Sequence, residues 1–163
     1  MRYRSINSLR DFEFHDAVWT LVSHSDGSLA GDVKYLNIHQ DAGQNPYDCD
    51  MEIENARITL TGFRAIVHKQ VFPESMDRSG VRHPADPPII IEGQQAFEAL
   101  LNEMKDEMTF YSLHETRDGK WLIEGCGESL FFEAQIAFES VSIEWDAYRR
   151  PAWYVLHARG IQV

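Results

Sequence analysis

The stretch FEFHDAVWTLVSHSDGSLAGDVKYLNIH, residues 12–39, decides the fold of this chain. Apolar and polar residues alternate on both sides of Asp26-Gly27-Ser28, and an Asp-Gly pair supplies the positive φ that a tight hairpin turn needs. Residues 29–39 then return as the partner strand, with Val33 and Tyr35 on one face. The chain therefore begins as an antiparallel β-hairpin.

The alternation slips once within this stretch. Phe12 and Phe14 share one face, whereas Trp19 and Leu21 fall on the other. A shift of one residue turns every later side chain to the opposite face, and a β-bulge produces such a shift. We therefore predict a bulge at residues 15–17.

Strand patterns continue through most of the remaining chain. A second Asp-Gly turn lies at Asp118-Gly119, and the cleanest alternation covers residues 130–138, with Leu130 and Phe132 on one face. Residues 153–156 are apolar or aromatic and are predicted to form a final strand. We expect a mainly β fold, an antiparallel β-sandwich or a partly closed, barrel-like sheet of about eight to ten strands.

One segment has helical periodicity. Its apolar residues recur three or four positions apart, at Phe97, Leu100, Leu101, Met104 and Met108. This spacing predicts one amphipathic helix over residues 94–108, with its charged side facing solvent.

The length of the chain, 163 residues, favours a single domain over residues 1–163. Residues 73–88 contain four prolines and no periodicity, which predicts a long proline-rich loop that is either mobile or functional. The sequence does not indicate an oligomeric state.

Composition restricts the class of partner. The formal net charge is −11, from 26 acidic and 15 basic residues. Such a surface repels nucleic acids and anionic membranes and attracts basic proteins. No stretch approaches the roughly 18 apolar residues of a spanning helix, and Cys49 and Cys126 form no metal-binding or disulfide pattern. We therefore expect a cytoplasmic protein that binds neither membranes nor nucleic acids.

Polar residues near the first strands suggest a site. A carboxylate can fix the tautomer of a neighbouring imidazole, so His15 and Asp16 are candidates for acid–base chemistry, although adjacent strand residues normally face opposite ways. Zinc or a harder cation could bind where the strand ends meet the following loop. The candidate ligands are His15, His39, Asp48, Cys49 and Asp50. Their spacing is not diagnostic, and the Asp48-Cys49-Asp50 cluster is more simply explained as an exposed turn.

The sequence contains no nucleotide-binding glycine motif and no nucleophile elbow, so it calls for no cofactor. Aromatic residues with strand periodicity could instead line a chamber for an apolar ligand, or simply form the core.

The C-terminal run is rich in the residue types that dominate protein interfaces. Its candidates for partner contact are Trp145, Tyr148, Arg149, Arg150, Trp153 and Tyr154. The same run could equally be a core strand with an exposed kink.

The chain resembles small, β-rich bacterial domains, some of which are grouped with the immunity proteins of polymorphic toxin systems. The resemblance rests on Phe12-Glu-Phe-His-Asp-Ala with the hairpin that follows it, and on Glu144-Trp-Asp-Ala-Tyr followed by Pro151-Ala-Trp-Tyr. It implies a non-enzymatic domain that binds and neutralises a protein partner. The acidity of the chain fits this role, because an acidic inhibitor is attracted to a basic partner such as a nuclease-like toxin. The alternatives are a small-molecule or lipid-binding β-barrel and a metal-assisted hydrolase built around His15.

Overall fold

A computed structural model describes residues 1–25, 27–129 and 131–161. These residues form sixteen strands, two α-helices and one 3-10 turn. The strands are β1 (Tyr3–Ile6), β2 (Phe12–Glu13), β3 (Val18–Ser25), β4 (Ser28–Lys34), β5 (Asn37–Ile38), β6 (Met51–Ile53), β7 (Ala56–Thr61), β8 (Arg64–Gln70), β9 (Ser75–Met76), β10 (Arg82–His83), β11 (Ile89–Glu92), β12 (Glu107–Glu115), β13 (Trp121–Cys126), β14 (Phe132–Ala137), β15 (Ser140–Trp145) and β16 (Tyr148–Pro151). The helices are α1 (Gln94–Glu103) and α2 (Trp153–Ala158).

Ten strands form one antiparallel sheet, in the order β1-β15-β7-β4-β3-β12-β13-β14-β8-β11. A second sheet has the order β16-β6-β5-β2, and β9 and β10 form a separate hairpin. The described strands close no barrel, because β1 and β11 remain the two edges of the large sheet. The expected class, mainly β and antiparallel with a helix, is thus confirmed.

The slip in the opening stretch marks a change of sheet rather than the predicted bulge at residues 15–17. β2 belongs to the four-stranded sheet and β3 to the ten-stranded sheet. Between them Asp16 adopts a positive φ of 66° and donates its N–H to the carbonyl of Phe110 (3.0 Å). The irregularity of pairing in β3 comes later, between Leu21 and Ser23. The predicted turn residue Asp26 lies outside the described residues, and Gly27 has φ 68°.

The large sheet encloses a packed core that both sheets share. Leu100 of α1 and Met104, the residue that follows the helix, are buried in it, and Met104 lines a cavity of only about 20 Å³ together with Trp19 and Phe110. Trp145 joins the sheets, because its buried ring stacks on Tyr3 and meets the edge of Phe12.

The structure corrects the sequence prediction at the end of α1 and in the C-terminal segment. α1 ends at Glu103, not at residue 108, because Met108 pairs with Trp19 within β12. The spacing of Met104, Met108 and Phe110 fits a helix up to Met108 and a strand from there, so periodicity alone did not locate the boundary. Residues 153–156 are helical rather than extended, since a short apolar run suits either structure.

The proline-rich segment contains more structure than a loop. β9 and β10 pair within residues 73–88, and the turn between them is fixed by Asp77, which accepts hydrogen bonds from Ser79 and Val81 N–H groups. The predicted strand residue Leu130 lies outside the described residues. In the described part of the chain, neither helix is long and apolar enough to span a bilayer.

Candidate functional site

The four-stranded sheet and α2 carry nearly all the residues that the sequence indicated. Tyr148, Arg149 and Arg150 lie on β16, and Trp153 and Tyr154 begin α2. His15 follows β2, His39 follows β5, and Asp48 lies exposed in the turn before β6. Trp145 is the exception, because its side chain is fully buried between the sheets and offers no surface to a partner.

The two arginines share one buried carboxylate. Arg149 Nη1 lies 2.7 Å from Glu52 Oε1, and Arg150 Nε lies 2.8 Å from Glu52 Oε2. A buried carboxylate needs such compensation because leaving water is costly for a charge. Both guanidinium groups therefore bind a carboxylate of the same chain.

Tyr148 is also largely structural. Its hydroxyl donates a hydrogen bond to the carbonyl of Gln44, and its ring packs against Tyr3 and Tyr47 at centroid distances of 5.0 and 5.2 Å. Burial, as the largest cause, raises the pKa of Tyr148. This contact holds the turn before β6 against β16.

Asp50 connects α2 to the end of β5. Its Oδ2 accepts the hydroxyl hydrogen of Tyr154 (2.7 Å) and lies 3.2 Å from His39 Nδ1, while Oδ1 accepts the N–H of Gln40 (2.8 Å). Burial alone raises the pKa of Asp50, but these hydrogen bonds outweigh it and hold the pKa below its usual value. Burial and the neighbouring Asp50 raise the pKa of Tyr154.

His15 and Asp16 do share a site, because the positive φ of Asp16 turns its side chain towards its neighbour. His15 Nδ1 lies 3.1 Å from Asp16 Oδ2, and both side chains are exposed. Glu13 accepts the N–H of His15 (2.8 Å), and the His15 ring lies 6.5 Å from the ring of Trp153.

These contacts make one surface, which we name the Trp153 patch. It consists of Glu13, His15, Asp16, Asp50, Trp153 and Tyr154. Trp153 packs edge-on against Tyr154 at 5.7 Å, and its side chain remains 42% exposed. Sequence reasoning missed Glu13 because nothing in the sequence places it beside α2.

Chemically, the site offers two His–Asp pairs, His15 with Asp16 and His39 with Asp50. Each pair can hold an imidazole in one tautomer. Among the described residues, no three His, Cys, Asp or Glu side chains come together as a metal site would require. Of the proposed ligands, Cys49 is buried with its sulfur 3.8 Å from that of Met51.

The cavity that Trp19, Met104 and Phe110 line in the core is too small for an apolar ligand. The core cavity of about 20 Å³ is far below the 300 Å³ or so of a small-molecule site. A larger cleft of about 570 Å³ lies on the surface, where the β3–β4 turn approaches the start of α1. It is lined by His24, Arg64 and Phe97 among others, and no sequence pattern indicated it.

Comparison with known proteins adds no relative: no family model matches the sequence, and no curated protein or solved structure matches it.

Proposed function

We propose that this chain is a non-enzymatic protein-interaction domain that binds a basic protein through the Trp153 patch. One observation carries the proposal: Trp153 is 42% exposed, although the neighbouring Tyr154 is fixed by Asp50. Tryptophan is among the residue types that dominate binding energy. An aromatic group whose surroundings are already ordered also loses less entropy when a partner binds.

The charges around Trp153 favour a basic partner. Glu13, Asp16 and Asp50 place three carboxylates in the patch, and the nearest arginines along the chain are bound to Glu52. With a net charge of −11 over the whole chain, the surface attracts cationic proteins, and association should slow as salt rises. The same field supports a protein partner rather than a nucleic acid.

More specifically, we propose that the chain acts in the cytoplasm as an immunity-like protein. This role is supported by the resemblance of the opening and closing segments and by the charge, which suits the basic active site of a nuclease-like toxin. The two free cysteines, Cys49 and Cys126, suit a reducing compartment.

The test begins with affinity capture from the native host and continues with the purified partner. We expect a basic protein that forms a stoichiometric complex and whose association rate falls with salt. Trp153→Ala should weaken the complex by about 30-fold, as for a hot-spot residue. Asp16→Asn should slow association without a comparable effect on dissociation.

Val22→Ala is the matched control, because Val22 is 44% exposed but lies on β3, outside the patch. Its complex should be unchanged. A partner that binds Trp153→Ala as tightly as the unmodified protein would remove the patch from the interface, and a host extract that yields no stoichiometric partner would contradict the proposal itself.

A further inference from the structure

The two edges of the ten-stranded sheet are unlike. β11 is the edge beside β8, and its sequence is Ile89-Ile90-Ile91-Glu92. Ile89 and Ile90 are exposed, with 59% of Ile90 accessible. An exposed apolar edge strand is a template for pairing with another strand.

The main-chain groups of β11 show which residues face outwards. Gly93 donates its N–H to the carbonyl of Ile66, at the start of the pairing with β8 (3.3 Å). Alternate residues of an antiparallel strand direct their N–H and C=O groups to the same side. Ile91 therefore faces β8, as Gly93 does, and Ile90 and Glu92 direct their main-chain groups to the open edge.

The side chains of β11 also divide between two faces. Ile91 lies opposite His68, whose ring is 3.2 Å from Glu103 of α1, so Ile91 is on the face that α1 covers. Ile90 is on the other face, opposite Lys69. Its apolar side chain therefore stands on the solvent side of the sheet, away from α1.

The opposite edge, β1, has the usual protection. Arg4 lies at its centre, 3.4 Å from Glu144 of β15, and charged side chains on an edge strand disfavour further pairing. In β11 the only charged residue is Glu92, at its last position.

We propose that two copies of this chain pair antiparallel through β11 and so join their ten-stranded sheets. In an antiparallel pair, two residues that lie opposite each other are on the same face of the sheet. A two-fold axis perpendicular to the sheet must therefore pass midway between one residue and the same residue of the second copy. Pairing centred on Ile90 satisfies this condition. It places Ile90 opposite Ile90 of the second copy and Ile89 opposite Ile91. The side-chain contacts between the two β11 strands are then apolar on both faces of the sheet.

Charge selects this arrangement over one centred on Glu92. With Ile90 at the centre, the two Glu92 residues lie four positions apart, roughly 13 Å along the strands. Centring on Glu92 would place like charges directly opposite each other, which is destabilising. Four main-chain hydrogen bonds then form: two between the Ile90 residues, and one from each Glu92 N–H to a Pro88 carbonyl.

The hairpin that precedes β11 in the chain also exposes apolar side chains. Met76 of β9 and Val81, in the turn before β10, are both exposed. A pair of four-residue strands is short, so we expect a weak dimer that is populated at high protein concentration.

Sedimentation equilibrium over a wide concentration range tests the proposal. The unmodified protein should show a reversible monomer–dimer equilibrium, and Ile90→Lys should weaken the dimer by about tenfold or more because two lysines then face each other. Ile6→Lys is the matched control, since Ile6 is 55% exposed on the β1 edge. Its dimer should be unchanged.

A cysteine variant tests the register. In a Cys126→Ser background, Ile90→Cys should form a disulfide-linked dimer under mild oxidation, because opposed residues in a hydrogen-bonded pair have Cα atoms about 5.5 Å apart. Ile6→Cys should not. A protein that remains monomeric at every concentration, or a dimer that Ile90→Lys leaves intact, would overturn the proposal.

Discussion

The hydroxyl of Tyr154 donates a 2.7 Å hydrogen bond to the carboxylate of Asp50, across 104 positions of sequence. A main-chain hydrogen bond joins the same two segments, because Ala152 donates its N–H to the Asp50 carbonyl (2.9 Å). Asp50 thus fixes the start of α2 by both its side chain and its backbone. The exposed Trp153 lies between these two points of attachment.

Removing the Tyr154 hydroxyl should loosen α2. We expect Tyr154→Phe to lower the free energy of unfolding by about 1–2 kcal/mol, because the lost hydrogen bond has a charged acceptor that is partly exposed. Urea denaturation measures the change. Tyr35→Phe is the control: Tyr35 is exposed, so its stability should stay within about 0.5 kcal/mol of the unmodified protein. Equal effects of the two variants would contradict the role assigned to Tyr154.

Asp50 should contribute to stability in a pH-dependent way. Its pKa is lower in the folded protein than in the unfolded chain, where a value of about 3.9 applies. A lowered folded-state pKa gives stability that is complete above the unfolded value and is lost as the pH falls through the folded value. The difference in unfolding free energy between the unmodified protein and Asp50→Asn should therefore be largest near neutral pH.

The measurement is urea denaturation of both proteins from pH 7 to pH 2. Below about pH 3.9 the two stabilities should converge. A difference that stays constant over the whole range would show that the Asp50 charge does not stabilise α2.

The sequence predicted the parts of the fold that depend on local pattern. The opening hairpin and the antiparallel class follow from alternation and turn residues, and these patterns do not depend on distant contacts. The phase slip between Phe14 and Trp19 was also visible. Its cause was not, because a change of sheet at Asp16 depends on a hydrogen bond to Phe110, far along the chain.

The candidate site was predictable as a set of residue types, but not as a geometry. His39 and Asp50 were expected near each other, and the structure places them 3.2 Å apart. The connection of Asp50 to Tyr154 depends on residues 153–156 being helical, and a run of apolar residues does not distinguish a helix from a strand. The burial of Trp145 likewise depends on the packing of two sheets.

Gly31 is required because the indole of Trp19 lies against its backbone. A Cβ at Gly31 would stand 2.1 Å from Trp19 Cε2, and Trp19 is buried in the core. We expect Gly31→Ala to lower the unfolding free energy by about 1–3 kcal/mol through overpacking. Gly43→Ala is the matched control, because a Cβ there would meet no atom within 4 Å.

Thermal or urea denaturation of a double variant separates this clash from other effects of alanine. Combined with Trp19→Leu, the Gly31→Ala change should cost less than it does alone, because the two residues are in contact and their effects are not additive. Strict additivity would mean that Gly31 is required for another reason.

The buried pair of His68 and Glu103 offers the strongest test of charge compensation. His68 Nε2 lies 3.2 Å from Glu103 Oε1, close enough for charge pairing but without the alignment of a hydrogen bond, and Ser129 donates its N–H (2.8 Å) and its hydroxyl hydrogen (2.6 Å) to the same carboxylate. Burial alone raises the pKa of Glu103, but the contacts with His68 and Ser129 outweigh it and lower the pKa. The carboxylate is therefore ionised within the fold, where it needs its partners.

Replacing His68 should leave that charge without sufficient compensation. We expect His68→Leu to lower the unfolding free energy at pH 7 by about 3–5 kcal/mol, and His68→Leu with Glu103→Gln to lower it by less, because the double variant buries no charge. Denaturation at several pH values gives a second readout. The loss caused by His68→Leu should shrink as the pH falls towards 4, since protonation of Glu103 removes the uncompensated charge. A loss that is the same at pH 7 and pH 4, or a double variant less stable than His68→Leu, would show that His68 stabilises the fold by packing on Phe132 and not by pairing with Glu103.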